Sequence, residues 1–214
     1  MMELFTSALV TFLVIIDPPG CAPIFASLTR GCPPAERRAM AVRSVLIAAG
    51  ILLFFALFGE DLLDALGISL AAFRIAGGIM LFLIALEMVF EKRTERREDR
   101  AEKVRESEVT DVSIFPMAMP MIAGPGSIAS VMLLMSQNDG IGRSAVVLAA
   151  MGVILLLTLL ALIAAGPLMR LVGARIEAVV SRVLGVILGA LATQFVIDGI
   201  RASLVAGAAL SGGH

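Results

Sequence analysis

Tryptophan and tyrosine are absent from this 214-residue chain, and its one histidine is the last residue, His214. Without Trp and Tyr there is no aromatic belt to mark a membrane–water boundary, and the 11 Phe residues do not replace it because Phe has no polar tip. A lone terminal His leaves no material for a His-based triad or a zinc cluster. The two cysteines, Cys21 and Cys32, are too few for a disulfide framework. No Walker-type phosphate loop is present, so no ATP-driven machinery is expected. Charge is sparse: 16% of residues are charged and the net charge is −1. With no basic stripe interleaved with aromatics, a nucleic-acid partner is not expected. Neither is an enzyme, a cofactor or a bound metal.

What the chain has is apolar length. Hydrophobic residues make up 59% of it and the mean hydropathy is +0.98. A bilayer span needs roughly 20 mostly apolar residues. Six such runs are predicted, at about 4–28, 40–59, 68–90, 112–136, 144–166 and 178–200. One polytopic domain over 1–214 follows: three spans within 1–90, a charged linker at 91–111, and three spans with a short tail at 112–214. The first run has no basic flank and contains Asp17 and three prolines, unlike a cleaved signal peptide.

Cytoplasmic loops hold an excess of Lys and Arg. Arg30, Arg37, Arg38 and Arg43 follow the first span, and Lys92, Arg93, Arg96, Arg97, Arg100, Lys103 and Arg105 fill the linker. Arg170, Arg175 and Arg182 lie between the fifth and sixth spans, leaving only Arg74, Arg143 and Arg201 for the opposite side. Both termini are therefore expected outside the cytoplasm. The linker mixes both signs densely, and reads as a solvated cytoplasmic connector.

Two spans contain helix breakers. Residues 17–25 read D-P-P-G-C-A-P-I-F, and residues 116–127 read P-M-A-M-P-M-I-A-G-P-G-S. Broken backbone in hydrocarbon is tolerated only where protein or a water-filled cavity satisfies the freed polar groups. Sliding the first half by 106 positions sets Pro19-Gly20 on Pro125-Gly126, Asp17 on Ala123, Pro18 on Gly124 and Cys21 on Ser127. Residues 74–79 match 182–187 at a shift of 108. Each half thus has three spans with the break in its first, and an odd span count inverts the second half. The expected fold is an all-α membrane protein, six transmembrane helices in a 3+3 inverted repeat, the first helix of each repeat broken near the midplane.

The segments D-P-P-G-C-A-P-I-F and P-M-I-A-G-P-G-S-I resemble the two signature motifs of the MarC family, approximately D-P-x-G-x-x-P-x-F and P-x-x-x-G-P-G-x-I. Length, six spans and a charged central loop also match, so the resemblance covers nearly the whole chain. It implies an inner-membrane protein similar in plan to lysine-exporter-type transporters. Some members are described as carriers of small neutral amino acids such as glycine and alanine, with proton coupling proposed.

The residues give their own account of a site. Asp is a good N-cap and Pro suits the first helical position, so a half-helix is expected to start at Pro18. A second is expected to start around Gly124-Pro125-Gly126. Two helix N-termini would then meet near the midplane, their unpaired amides suiting a substrate carboxylate. Asp17, unmatched in the second half, would face the ammonium of a zwitterion, or simply cap a kinked helix. The candidate substrate-binding residues are therefore Asp17, Pro18, Pro19, Gly20, Gly124, Pro125, Gly126 and Ser127.

Glu87 and Asp198 read as interfacial acids, and Arg74 and Arg182 as interface anchors. Ser181, Gly185 and Gly189 form a small-residue ridge for helix packing. Thr193 and Gln194 are candidates to reach the cavity, and Met117, Met119 and Met121 read as flexible packing. The expected function is a secondary carrier of small neutral amino acids working by alternating access, with protons or another ion as the coupling partner. The alternatives are an exporter or channel for another small metabolite or drug, a transmembrane thiol carrier, or a membrane protein without cargo. A thiol carrier would want a cysteine in each half, and the mate of Cys21 is Ser127.

Overall fold

The computed structural model describes residues 1–90, 92, 95–99, 102, 111–138 and 140–211, with side chains 166–178 and 205–211 outside the description. Among the described residues the regular structure is entirely helical. In chain order the elements are α1 (Met2–Ile16), α2 (Pro18–Leu28), α3 (Pro34–Ala65), α4 (Leu70–Val89), α5 (Ser113–Ile122), α6 (Pro125–Ser136), α7 (Ile141–Ile163) and α8 (Ala165–Ser211). Five stretches are long and apolar enough to cross a membrane, α1 with α2 counting as one, and a sixth arises if the bent pair α5–α6 is one span.

Local chemistry sets the boundaries. Pro34 opens α3 at a position where its missing N–H is harmless. After α3, Gly67 takes φ 69°, a left-handed conformation that glycine adopts without a Cβ penalty. The Ile68 N–H then donates back to the Leu63 carbonyl at 2.9 Å. Ser69 starts α4 by accepting the Ala72 N–H at 3.2 Å. The sequence places a break between its fifth and sixth spans, yet the backbone from 165 to 211 is one 47-residue helix. The reason is positional: Pro167 falls in the first turn of α8, where a proline removes no intrahelical bond.

Residues 2–28 are the most enclosed span, with 72% of its apolar window buried, against 28–39% for α3, α4, α7 and the 179–204 part of α8. Most of α6 is buried too, including Ala129 to Leu134. The interrupted elements are thus central and the continuous helices surround them. The outer helices carry exposed Phe54, Leu57 and Phe58 on α3, Leu83 on α4, Leu156 on α7 and Val186 on α8. That is the pattern of a bundle facing lipid rather than water.

The packing is reciprocal between the halves. The helices α1 and α2 pack on α7, while α5 and α6 pack on α3; α4 packs mainly on α8. Close approach between α4 and α8 depends on glycine. A Cβ on Gly185 would lie 2.8 Å from Met88 Cβ, and one on Gly78 would lie 2.8 Å from the Ala192 carbonyl oxygen. Gly185 therefore packs as the small-residue ridge predicts. Buried hydroxyls inside the helices donate to their own preceding turn: Thr11 to Ser7 O, Ser44 to Met40 O and Thr158 to Ile154 O, each at 2.8 Å.

Candidate functional site

The first interruption is a single residue. Asp17 ends α1 and begins α2 with φ 57° and ψ 66°. Left-handed backbone is uncommon outside glycine, and Asp is one of the few side chains that tolerates it. Pro18 and Pro19 follow as the first two residues of α2 and bring no N–H groups. The next amide, Gly20, donates to Asp17 Oδ1 at 3.2 Å. Asp17 is therefore the helix cap that the Asp-Pro pair predicts.

Its second carboxylate oxygen has a different partner. Arg97 Nη1 lies 2.9 Å from Asp17 Oδ2, with side-chain exposures of 9% and 3%, so the pair is almost dry. Arg97 comes from the helical piece 95–99 of the charged linker. Gly20 makes room for this pair, because a Cβ there would sit 2.2 Å from Asp17 Oδ2 and 2.8 Å from Arg97 Nη1. Arg97 is thus buried, whereas the other described residues of the linker are exposed. The reason that sequence reading misses this is distance: the pair is separated by 80 residues, and one arginine within a mixed charge run carries no mark of its destination.

The second interruption is wider. α5 is a π-type segment, its Met117 N–H reaching Val112 O and its Ala123 N–H reaching Ala118 O. Phe115 and Met119 leave helical geometry within it, and Phe115–Pro116 and Met119–Pro120 are cis peptides. α6 begins after Gly124 and is bent 52° from α5. A Cβ on Gly124 would lie 2.4 Å from the Pro120 carbonyl oxygen, so the bend requires glycine there. The first intrahelical bond of α6 runs from the Ile128 N–H to Gly124 O at 3.0 Å. The Gly126 and Ser127 amides precede it and have no acceptor within the helix.

The two interruptions share one hydrogen bond. Cys21 Sγ donates to the Ile16 carbonyl at 3.4 Å, and Ser127 Oγ donates to the Ile122 carbonyl at 2.7 Å. Both pairs are related by the 106-position shift read from the sequence. In each, the side chain satisfies a carbonyl released where the helix stops.

A cavity of about 340 Å³ lies beside the second interruption. Gly124, Pro125, Gly126 and Ser127 line it, with Ile84 and Glu87 of α4 opposite and Arg96 and Arg97 across one side. Of the eight candidate residues, the four of the second interruption border this cavity. Asp17, Pro18, Pro19 and Gly20 do not; Asp17 reaches it only through Arg97. Glu87, read from sequence as an interfacial acid, faces the cavity and pairs with Arg96. Met121 lines it as well, while Met117 is buried elsewhere in the core and Met119 is exposed. Thr193 and Gln194 are exposed: Thr193 bonds to Gly189 O and Gln194 to Asp198, and neither lines the cavity.

No group of three or more His, Cys, Asp or Glu suited to a metal ion occurs among the described residues. Cys21, buried, and Cys32 are not in a disulfide.

These features define an integral membrane protein, a helical bundle with five or six stretches apolar enough to cross a membrane and a small cavity that sets two arginines and an acid among apolar side chains. The chain belongs to the MarC family of integral membrane proteins, whose sequence pattern it matches over residues 2–204. It is 38% identical over 204 residues to the UPF0056 membrane protein MJ1677 of Methanocaldococcus jannaschii, covering 95% of this chain and 99% of that one. It is 34% identical to the UPF0056 inner membrane protein YhgN of Escherichia coli K12, over 94% and 98% of the two chains. With the UPF0056 membrane protein YvbG of Bacillus subtilis the identity is 31%, over 94% and 96%. No solved structure matches.

Proposed function

We propose that this protein is a secondary carrier of the inner (plasma) membrane for a small zwitterion of the glycine or alanine type, built as a 3+3 inverted repeat. The observation that carries this reading is the lining of the cavity: open amides at the start of α6, two arginines and an acid around about 340 Å³. That volume is at the small end of ligand pockets, which run from roughly 300 to 1,000 Å³. Helix N-terminal amides favour a carboxylate, and Glu87 and Asp17 are acids suited to an ammonium.

Reciprocal packing and the mated bonds of Cys21 and Ser127 support the repeat. Interrupted helices enclosed by continuous ones support a binding site at the interruptions. Alternating access would rock the outer helices around the two central interrupted elements. Proton coupling through Asp17 or Glu87 is part of the proposal, as is a topology with both termini outside the cytoplasm.

The deciding experiment is a flux screen in proteoliposomes with glycine, alanine, serine and threonine against drug controls. Saturable flux of one amino acid, competed by its neighbours, is the expected result. Flux of drugs alone, or of none of these solutes across either orientation and a pH gradient, refutes the reading.

A further inference from the structure

We infer that the side chains of Arg96 and Arg97 form a gate across the cavity, with Arg97 holding the carboxylate that a substrate's ammonium would otherwise meet. The exchange of Arg97 for substrate rests on the carrier reading above; the closure of the cavity does not.

Three observations carry the inference. Two adjacent arginines on one short helical piece reach two acids on different elements, Arg96 to Glu87 on α4 and Arg97 to Asp17 at the α1–α2 junction. Both arginines also line the cavity, so this piece of linker is one of its walls. The latches are graded in wetness: the outer pair is 68% and 24% exposed, the inner pair 9% and 3%. Arg96 and Arg97 therefore cover one side of the cavity, the contact to Asp17 drier than the contact to Glu87.

This gradation gives the gate its logic. An exposed ion pair is weak and opens readily. A buried pair resists opening, because removing one partner leaves the other charge uncompensated. Asp17 is fixed in the backbone junction, so opening is a withdrawal of the long Arg97 side chain. Withdrawal is thus opposed while the site is empty, and eased when another cation occupies Asp17. The gate would stay shut over an empty cavity and open for a cationic headgroup.

The test needs no transport. In a protein carrying Cys21→Ser and Cys32→Ser, Ser127→Cys places a single thiol on the cavity wall. A membrane-impermeant methanethiosulfonate is applied from the face that also labels Glu102→Cys in the linker. The double variant Asp17→Asn/Arg97→Gln removes both inner charges, leaving no buried charge unpaired and net charge unchanged. If the open form is a minor state of about 10% or less, the double variant should label Ser127→Cys about tenfold faster or more. Arg96→Gln alone should change the rate less than about threefold, as befits an exposed pair.

Labelling of the double variant at the parent rate overturns the gate. So does equal acceleration at Ser44→Cys, a fully buried control position, since that would be general loosening. Millimolar glycine should speed labelling of the parent. Failure of glycine alongside a fast double variant would leave the gate standing and overturn the exchange with an amino-acid ammonium.

Discussion

The Asp17–Arg97 pair makes a quantitative prediction about stability, because its two ends differ in freedom. At 2.9 Å and an effective dielectric of about 20, the gross attraction is about 6 kcal/mol. Desolvation offsets much of this, and removing one partner of a buried pair typically costs about 3–5 kcal/mol. Arg97→Gln should fall in that range, since Asp17 sits between two helices and is unable to follow its charge to water. Asp17→Asn should cost less, about 1–2 kcal/mol: Asn caps almost as well as Asp, and the long Arg97 side chain can turn its charged end toward water. The double variant should then resemble Asp17→Asn rather than the sum of the two, so the coupling between these contacting residues equals the Arg97→Gln cost, about 3–5 kcal/mol. The assay is unfolding in dodecyl maltoside micelles with a rising fraction of sodium dodecyl sulfate. An Arg97→Gln protein as stable as wild type, or additive single costs, would show that the pair does not hold the linker and refute the argument.

Other positions give simpler expectations. Gly20→Ala should lower stability by about 1–3 kcal/mol by wedging a methyl group into the ion pair, measurable in the same titration. Ser127→Ala should cost about 1–3 kcal/mol by leaving the Ile122 carbonyl unpaired, whereas Ser127→Cys should be mild because Cys21 makes the same bond in the other half. Hydrogen bonds from the Ser113 hydroxyl and amide, with Arg43 nearby, hold the Asp111 carboxyl below its usual value. A carboxylate lowered on folding stabilises the fold above its unfolded pKa, and that contribution is lost as pH falls through the lowered folded value. Protection of the Ser113 amide, its exchange corrected for the intrinsic pH dependence, should therefore fall in acid in wild type, with no such step in Asp111→Asn. Under the proposed topology, with the arginine-rich loops in the cytoplasm, alkaline phosphatase fused after His214 should be active; an inactive fusion would invert that topology.

The legible parts of this fold were those governed by local chemistry. Asp17-Pro18 announces a helix start because Pro lacks an N–H and Asp accepts one, and α2 begins there. Gly124-Pro125 announces another for the same reason, and α6 begins there. The long apolar runs located the spans because nothing local competes with them. The π-type geometry of α5 was not legible: Pro116 and Pro120 forbid a regular helix, but which irregular path results depends on what packs around it. Arg97 was the main omission. Its role is tertiary, decided by an acid 80 residues away and by the missing Cβ of Gly20, and one arginine in a charged run looks like any other.

The difference between the two interruptions is as informative as their likeness. Both free a carbonyl and satisfy it with a small side chain five residues on, Cys21 to Ile16 and Ser127 to Ile122. Only the first carries an acid, since the mate of Asp17 is Ala123. In the first, that acid occupies the Gly20 amide and then recruits Arg97, so the break is filled by the protein's own charges. In the second, no side-chain carboxylate caps α6, and its first amides border the cavity instead. Under the proposed repeat, one duplicated break would serve as a lock where a carboxylate is present and as an anion-facing wall where it is missing. Under the carrier proposal, the two poles of a zwitterion fall to different halves of the repeat, its carboxylate to the second and its ammonium to the first. Introducing the acid tests this division: Ala123→Asp sets a carboxylate one residue before the Gly124 N-cap, facing the open α6 amides, and should abolish binding of a substrate carboxylate even with Asp17 and Arg97 intact.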